Sequence, residues 1–324
     1  HSSFRNSYFS GGETFMSNVL ICGSMAYDSI MVFNDYFKNH ILPDQIHKLS
    51  VSFYVPELKR NFGGTAGNIA YNLSLLNTSS LVMATVGEDF QPYVERLSKF
   101  EIIQDYIKKI PDTFTAQAYI TTDLDDNQIT AFHPGAMSES HQNSISSITE
   151  NISLVVIAPD GKDGMIQHAN ECVEKNIPFL FDPGQGLPMF DKSELMTFIN
   201  QAHYIALNDY ELQLVLEKTN LTLSKLASAV DALIVTKGSQ GSSIFTKGEE
   251  IVINAIPIKT PIDPTGCGDA YRAGLIYGIL NKYDWAKTGQ LASVMGAIKI
   301  ESQGGQNHTT TLSDIENLLG SSLK

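Results

Sequence analysis

Six short apolar runs recur along this chain, and each stops at a small or polar residue. They are Val19-Leu20-Ile21-Cys22-Gly23, Leu81-Val82-Met83-Ala84-Thr85-Val86-Gly87, Leu154-Val155-Val156-Ile157-Ala158, Pro178-Phe179-Leu180-Phe181-Asp182, Tyr204-Ile205-Ala206-Leu207-Asn208 and Leu233-Ile234-Val235-Thr236. A strand covered on both faces has no polar side to show, so it reads as a continuous apolar run. Between the runs lie helical stretches at 67–76, 164–175 and 209–217. This alternation predicts an α/β fold with a doubly wound, mostly parallel sheet. Ligands bind such sheets at the carboxyl ends of the strands. The polar residues near those ends are therefore the first site candidates: Asp28, Asp182, Asn208 with Glu211, and Thr236 with Lys237 and Gly238.

Two segments, about 29–62 and 113–132, break the rhythm with shorter β-like pieces. One is Ser52-Phe53-Tyr54-Val55; another, Ala116-Gln117-Ala118-Tyr119-Ile120-Thr121-Thr122, continues through Asp125-Asp126-Asn127 to Ile129-Thr130-Ala131-Phe132 as a hairpin. Together they predict a small β-sheet beside the main one. Residues 1–15 read as an expression leader, with Met16 as the native start, which leaves 16–324 as one large domain.

The formal net charge of -13 argues against a nucleic-acid partner, which would need clustered Lys and Arg. A phosphate-handling site in so acidic a chain must draw its positive potential locally, from backbone N–H groups, a helix N-terminus or a bound cation. The three cysteines, Cys22, Cys172 and Cys267, lack disulfide or zinc spacing, which fits a reducing cytoplasm. No apolar run reaches the roughly 20 residues that cross a bilayer, so no membrane partner is expected.

The segment Asp263-Pro264-Thr265-Gly266-Cys267-Gly268-Asp269-Ala270-Tyr271-Arg272-Ala273-Gly274 opens an apolar helical stretch. Glycines at a helix start expose N–H groups, and the helix dipole adds partial positive charge there, which makes an anion hole. Asp269 on the same turn can reach a hydroxyl that attacks a phosphoryl group held in that hole. The plainer reading is an N-terminal helix carboxylate that stabilises its helix by ~0.3–1 kcal/mol.

This segment resembles the C-terminal signature of the ribokinase-like (pfkB) carbohydrate kinase family, which includes adenosine kinases, ribokinases and fructokinases. The resemblance implies that the backbone at Gly266, Cys267 and Gly268 cradles the transferring phosphate and that Asp269 is the base. Gly63-Gly64-Thr65-Ala66-Gly67-Asn68 is similar to the N-terminal signature, where the glycines form part of a lid hinge and the Asn binds substrate hydroxyls. By the same resemblance Asp28 grips vicinal sugar hydroxyls, and Asn208-Asp209-Tyr210-Glu211 acts near the phosphates, Glu211 through water on Mg²⁺. Thr236, Lys237, Gly238 and Gly241 match a nucleotide-binding turn, and Asp263 resembles a monovalent-cation ligand, which makes K⁺ a candidate cation.

Each motif also has a bland reading: Asp28 as a turn cap, Asn68 as a cap of the helix beginning there, Glu211 and Lys237 as solvated side chains. Arg272 either approaches the phosphates or pairs with a carboxylate. His133 and Asn307 stand as candidate substrate and nucleotide contacts beside their reading as loop residues. The contexts Phe132-His133-Pro134-Gly135-Ala136-Met137, Asp182-Pro183-Gly184-Gln185 and Gly305-Gln306-Asn307-His308 resemble bacterial adenosine kinases. Phe53, Tyr54 and Phe132 are candidates to stack on a purine.

The expected activity is therefore ATP-dependent phosphorylation of the 5′-hydroxyl of adenosine, by a monomer or homodimer whose ligands are ATP and a small nucleoside or sugar. A kinase for ribose, fructose or a related sugar is the rival within the family. A non-catalytic nucleoside or sugar sensor on the same scaffold is the rival of another class. The first strand lacks G-x-G-x-x-G and the chain lacks G-x-x-x-x-G-K-[ST], which disfavours dinucleotide and Walker-type sites.

Overall fold

The computed structural model describes residues 18–41, 50–125 and 127–323. The expected leader, Met16 and Asp126 of the expected hairpin turn lie outside the described residues. In chain order, β1 (Asn18–Cys22), β2 (Ala26–Val32) and β3 (Glu57–Gly63) precede α1 (Thr65–Leu75), β4 (Ser80–Val86), α2 (Gln91–Lys99) and β5 (Ile103–Lys109). Next come β6 (Ala116–Thr122), β7 (Gln128–His133), β8 (Ile152–Ile157), α3 (Lys162–Glu174), β9 (Phe179–Phe181) and α4 (Lys192–Gln201). The chain continues with β10 (Tyr204–Asn208), α5 (Asp209–Thr219), α6 (Leu223–Ser228), β11 (Ala232–Thr236), β12 (Ser242–Thr246) and β13 (Glu249–Ile253). Three helices follow, α7 (Cys267–Leu280), α8 (Trp285–Ile300) and α9 (Leu312–Leu319).

The main sheet has nine strands in the order β13-β12-β11-β10-β9-β8-β1-β4-β5. From β5 through β11 all neighbours are parallel, and β12 and β13 close one edge antiparallel. Alternate residues of β1 serve opposite cores. Val19 and Ile21 pack with Ala66, Ile69 and Leu275, whereas Leu20 and Cys22 pack with Met165, Ala169 and Phe198. That two-sided burial is why the run is apolar without alternation, and each such side chain contributes roughly 1.5–3 kcal/mol. Strand order reverses at β1, between β4 and β8, so the ligand crevice belongs beyond the carboxyl end of β1. No helix among the described residues is long and apolar enough to cross a membrane.

A second sheet has the order β3-β2-β6-β7, with β2 antiparallel to β3, parallel to β6, and β6 antiparallel to β7. The β6–β7 turn is organised by Asp123, whose Oδ1 accepts the N–H groups of Asp125 at 3.0 Å and Asn127 at 2.9 Å. One expected piece is not a strand: Ser52-Phe53-Tyr54-Val55 has no regular structure. Phe53 instead packs on Phe33 and Phe37, with ring centroids 4.8 and 5.0 Å apart, and Tyr54 is 84 % exposed. The strand of this segment is β3, whose exposed Glu57, Lys59 and Arg60 concealed it.

The two sheets meet where the β1–β2 corner touches the β3–α1 corner. Gly64 caps α1 with φ +84°, and a Cβ there would lie 2.5 Å from Ser24 O and 2.6 Å from Ala26 N. Ser24 Oγ accepts the Thr65 N–H at 3.1 Å, so a side chain from the facing corner caps the helix. Gly64→Ala combines a left-handed backbone with a backbone clash and is expected to destabilise the fold by about 2–4 kcal/mol. Thermal melting of the variant checks this; an unchanged midpoint would show that the corner yields without cost.

Candidate active site

Helix α7 begins without a capping side chain. Its N-cap, Gly266, has φ +77°, and a Cβ there would come within 2.9 Å of Gly305 Cα. The Cys267 N–H already donates to Pro264 O at 3.1 Å, and Ala270 N–H returns to Gly266 O at 3.0 Å. Of the expected backbone cradle, Cys267 is thus engaged in closing the turn. The N–H groups of Gly268 and Asp269 are the ones left without an intrahelical acceptor, and a Cβ on Gly268 would meet nothing within 4 Å. An open helix N-terminus of this kind suits an anion.

Asp269 is half-buried on the first turn of α7, and its Oδ2 accepts a hydrogen bond from Asn68 Nδ2 at 2.8 Å. Burial pushes its carboxyl up to about 7; the Asn68 bond and Arg272 pull it down, while Asp182 and Asp28 push it further up. A helix N-terminus by itself would lower it. The surrounding protein excludes enough water to outweigh the dipole. Asn68 is not a helix cap either, since α1 starts three residues earlier at Thr65. Its Oδ1 accepts from Gln306 Nε2 at 3.1 Å, Gln306 Nε2 also donates to Tyr93 Oη at 2.6 Å, and Tyr93 Oη donates to Gly63 O at 2.7 Å. This buried chain fixes the amide orientation of Asn68, and through it Asp269. Tyr93 was not a site candidate and Gln306 entered only as part of a motif; a tyrosine in a helix gives no sequence signal for such a contact.

On the small sheet, Asp28 lies beside Ala118, and Ala118 beside Phe132. Residues side by side across strands share a face, so this row places a carboxylate and, two strands away, an aromatic ring on one surface. Burial raises the Asp28 carboxyl to about 6, with the charge of Asp263 adding to it, and Asp28 in turn raises Asp269. The Asp28 face thus lies within electrostatic reach of α7. Phe132 is 53 % exposed on it. His133, the next residue, belongs to the opposite row with Gln117 and Tyr27, so the pleat separates it from Asp28 and Phe132. Gly63 presses on Asp28, and a Cβ there would lie 2.5 Å from Asp28 Oδ2.

At the carboxyl ends of β10 and β11, Asn208 and Thr236 are in register. Asn208 and Glu211 form a capping box on α5: Asn208 Oδ1 accepts the Glu211 N–H at 2.7 Å, and Glu211 Oε2 accepts the Asn208 N–H at 2.8 Å. Burial raises the Glu211 carboxyl, Asp182 adds to this, and Arg272 opposes it. Gly238 and Gly241, with φ +56° and +84°, shape the β11–β12 turn. Lys237 Nζ folds back to Ser243 Oγ at 2.6 Å. Arg272 takes the pairing alternative: Nε donates to Asp182 Oδ2 at 2.9 Å, with both side chains buried. Asn307 donates to Asn61 Oδ1 of β3 at 3.2 Å, beside the chain reversal at Gly304, φ +75°. Asp263 uses both carboxylate oxygens on backbone, Oδ1 for Thr265 N–H at 2.8 Å and Oδ2 for Gly304 N–H at 2.7 Å.

Residues 24–312 match the family described as pfkB family carbohydrate kinase. A nucleoside kinase from Methanocaldococcus jannaschii is 33% identical over 264 residues, covering 81% of this chain and 86% of that protein. The structure of Burkholderia thailandensis nucleoside kinase in complex with inosine is 47% identical, with TM-score 0.85, covering 94% of this chain and 99% of that one. The same kinase in complex with ADP-inosine is 50% identical, with TM-score 0.82, covering 93% and 94%. The chain belongs to the pfkB family of carbohydrate kinases and is an ATP-dependent kinase that acts on a hydroxyl group.

Asp182→Ala should destabilise the protein by about 3–5 kcal/mol, because it strands a buried guanidinium. The double variant Asp182→Leu with Arg272→Met should recover most of that loss. Denaturant titration of both variants distinguishes a buried ion pair from two independent packing residues.

Proposed function

We propose that this kinase transfers the γ-phosphoryl group of ATP to the 5′-hydroxyl of a purine nucleoside, adenosine foremost. The observation that carries this reading is the row Asp28, Ala118, Phe132 on the small sheet. Strands lie about 4.8 Å apart, so carboxylate and ring are separated by about 10 Å. A nucleoside spans that distance, with its ribose hydroxyls at Asp28 and its base under Phe132. A bare pentose does not reach both. The inosine complex of the Burkholderia thailandensis kinase supports the same substrate class.

With the sugar against Asp28, the 5′-hydroxyl points to Asp269. Its oxygen attacks the γ-phosphorus as the bond to the bridging oxygen of ADP breaks, and its proton passes to Asp269. Asn68, already bound to Oδ2, leaves Oδ1 free to take the proton. A carboxyl near 7 is better matched to this task at neutral pH than an ordinary aspartate. The N–H groups of Gly268 and Asp269 meet the charge on the transferring phosphoryl, where fixed dipoles cost no reorganisation.

Among the described residues no group of three His, Cys, Asp or Glu side chains forms a metal cage. Mg²⁺ would be carried chiefly by nucleotide phosphates and water, with Glu211 as the outer carboxylate. Bound there, it would neutralise phosphate charge. The small sheet acts as a lid that excludes water when the nucleoside bridges it to α7.

Adenosine is expected to exceed ribose and fructose in kcat/KM by at least about ten-fold, the worth of one stacked base. Coupled ADP-release assays over a panel of nucleosides and sugars test this, and equal or faster turnover of ribose would replace the nucleoside reading with a sugar kinase. Asp269→Asn should lower kcat by about 10²–10⁴-fold while both ligands still bind. Since only the ionised carboxylate accepts a proton, wild-type kcat/KM should rise with pH through about 7. A flat profile together with near-normal turnover of the Asn variant would remove Asp269 from the chemistry.

A further inference from the structure

Lys299, near the end of α8, is 0 % exposed. Its Nζ donates to two backbone carbonyls, Asp263 O at 2.7 Å and Ser302 O at 2.9 Å. No carboxylate among the described residues lies within ion-pair distance of it, and both oxygens of Asp263 are occupied by backbone N–H groups. The carbonyls belong to two loops that converge on the active site. The loop from Asp263 leads into the open start of α7. The loop after Ser302 presses Gly305 against Asn68 and Gly266: a Cβ on Gly305 would lie 2.5 Å from Asn68 Oδ1. Lys299 thus joins the loop that delivers the anion cradle to the loop that backs the Asn68–Asp269 pair.

Converging carbonyls beside a carboxylate are the chemistry that holds a monovalent cation, and the resemblance of Asp263 to such a ligand brings K⁺ to this place. The residues here do not fit that ion. The ammonium already takes the carbonyls, and each carboxylate oxygen already accepts a backbone N–H. We propose that Lys299 is a tethered monovalent cation, a positioning residue that holds the two loops together and makes phosphoryl transfer independent of K⁺. It also supplies the local positive charge that a phosphate site needs in a protein of net charge -13. Its field reaches the cradle, lowering the Cys267 thiol against the rise that burial imposes. Lysine keeps this charge covalently, whereas an exchangeable ion would fill the site only in proportion to its concentration.

The inference rests on the kinase reading for its rate effects, and melting reads the Lys299 site separately. Wild-type turnover and melting temperature should match in choline chloride and KCl. In Lys299→Met, two carbonyls and Asp263 face a space without a cation. Its kcat should fall by about ten-fold or more in choline chloride, since it loses part of the fixed electrostatics around the transferring group. About 100 mM KCl should restore most of the activity and raise the melting temperature of this variant, while LiCl at equal ionic strength should not. Two results overturn the proposal: several-fold activation of the wild type by K⁺, or a Lys299→Met protein that responds alike to every salt, whether folded or unfolded. If the wild type melts cooperatively but phosphorylates no nucleoside or sugar, the kinase reading fails; the K⁺ response of the variant's melting still decides the role of Lys299.

Discussion

One hydrogen bond ties the two halves of the site together, from Asn68 in α1 to Asp269 in α7. It requires two helices from opposite ends of the chain to approach more closely than ordinary side chains allow. Gly266 and Gly305 provide that approach, and Gly64 lets α1 start against the β1–β2 corner. A substituent at any of these positions would push apart the carboxylate and the amide that orients it. The hydrogen bond also settles an electrostatic conflict. Asp269 stands where water is scarce and other carboxylates are near, and one amide donor keeps its ionised form accessible around neutrality.

The main sheet was legible because parallel strands buried on two faces leave an unmistakable apolar record. The small sheet was legible only in part. β6 reads as a strand, whereas β3 is polar and exposed, and the aromatic residues of Ser52-Phe53-Tyr54-Val55 suggested a strand where the chain instead plugs Phe53 against Phe33 and Phe37. At the site, the glycines and Asp269 were visible as local motifs, and Asn208 with Glu211 as a motif whose capping box only the structure reveals. The carboxyl shift of Asp269 was not. A sequence shows that a residue begins a helix but not how much protein closes over it. The partners of Lys237 and Asn307, Ser243 and Asn61, were not legible for a related reason, since they are set by turns whose direction depends on glycine φ angles.

Buried cations have two different solutions in this molecule. Arg272 uses a planar fork against the carboxylate of Asp182 and leaves a neutral pair beneath the cleft. Lys299 instead meets carbonyl dipoles with no carboxylate opposite it among the described residues, and burial lowers the pKa of its ammonium. In a chain with far more acidic than basic residues, the second arrangement preserves positive potential near α7, and the first suppresses it near β9.

The parallel pairing of β2 with β6 has a consequence for assembly. Ala26 faces Ala116 in that register, and the chain between them builds α1, β4, α2 and β5 of the main sheet. The hairpin of β2 and β3 alone is too small to persist in water. Its completion waits until the intervening segment has compacted and brought β6 alongside, since closing so long a loop as free chain is entropically costly. On a ribosome that delivers the amino-terminal half first, β1, β4 and β5 are therefore the part of the large sheet present when β6 and β7 emerge to finish the small one. An insertion between β4 and β5 would delay the small sheet more than it would weaken it.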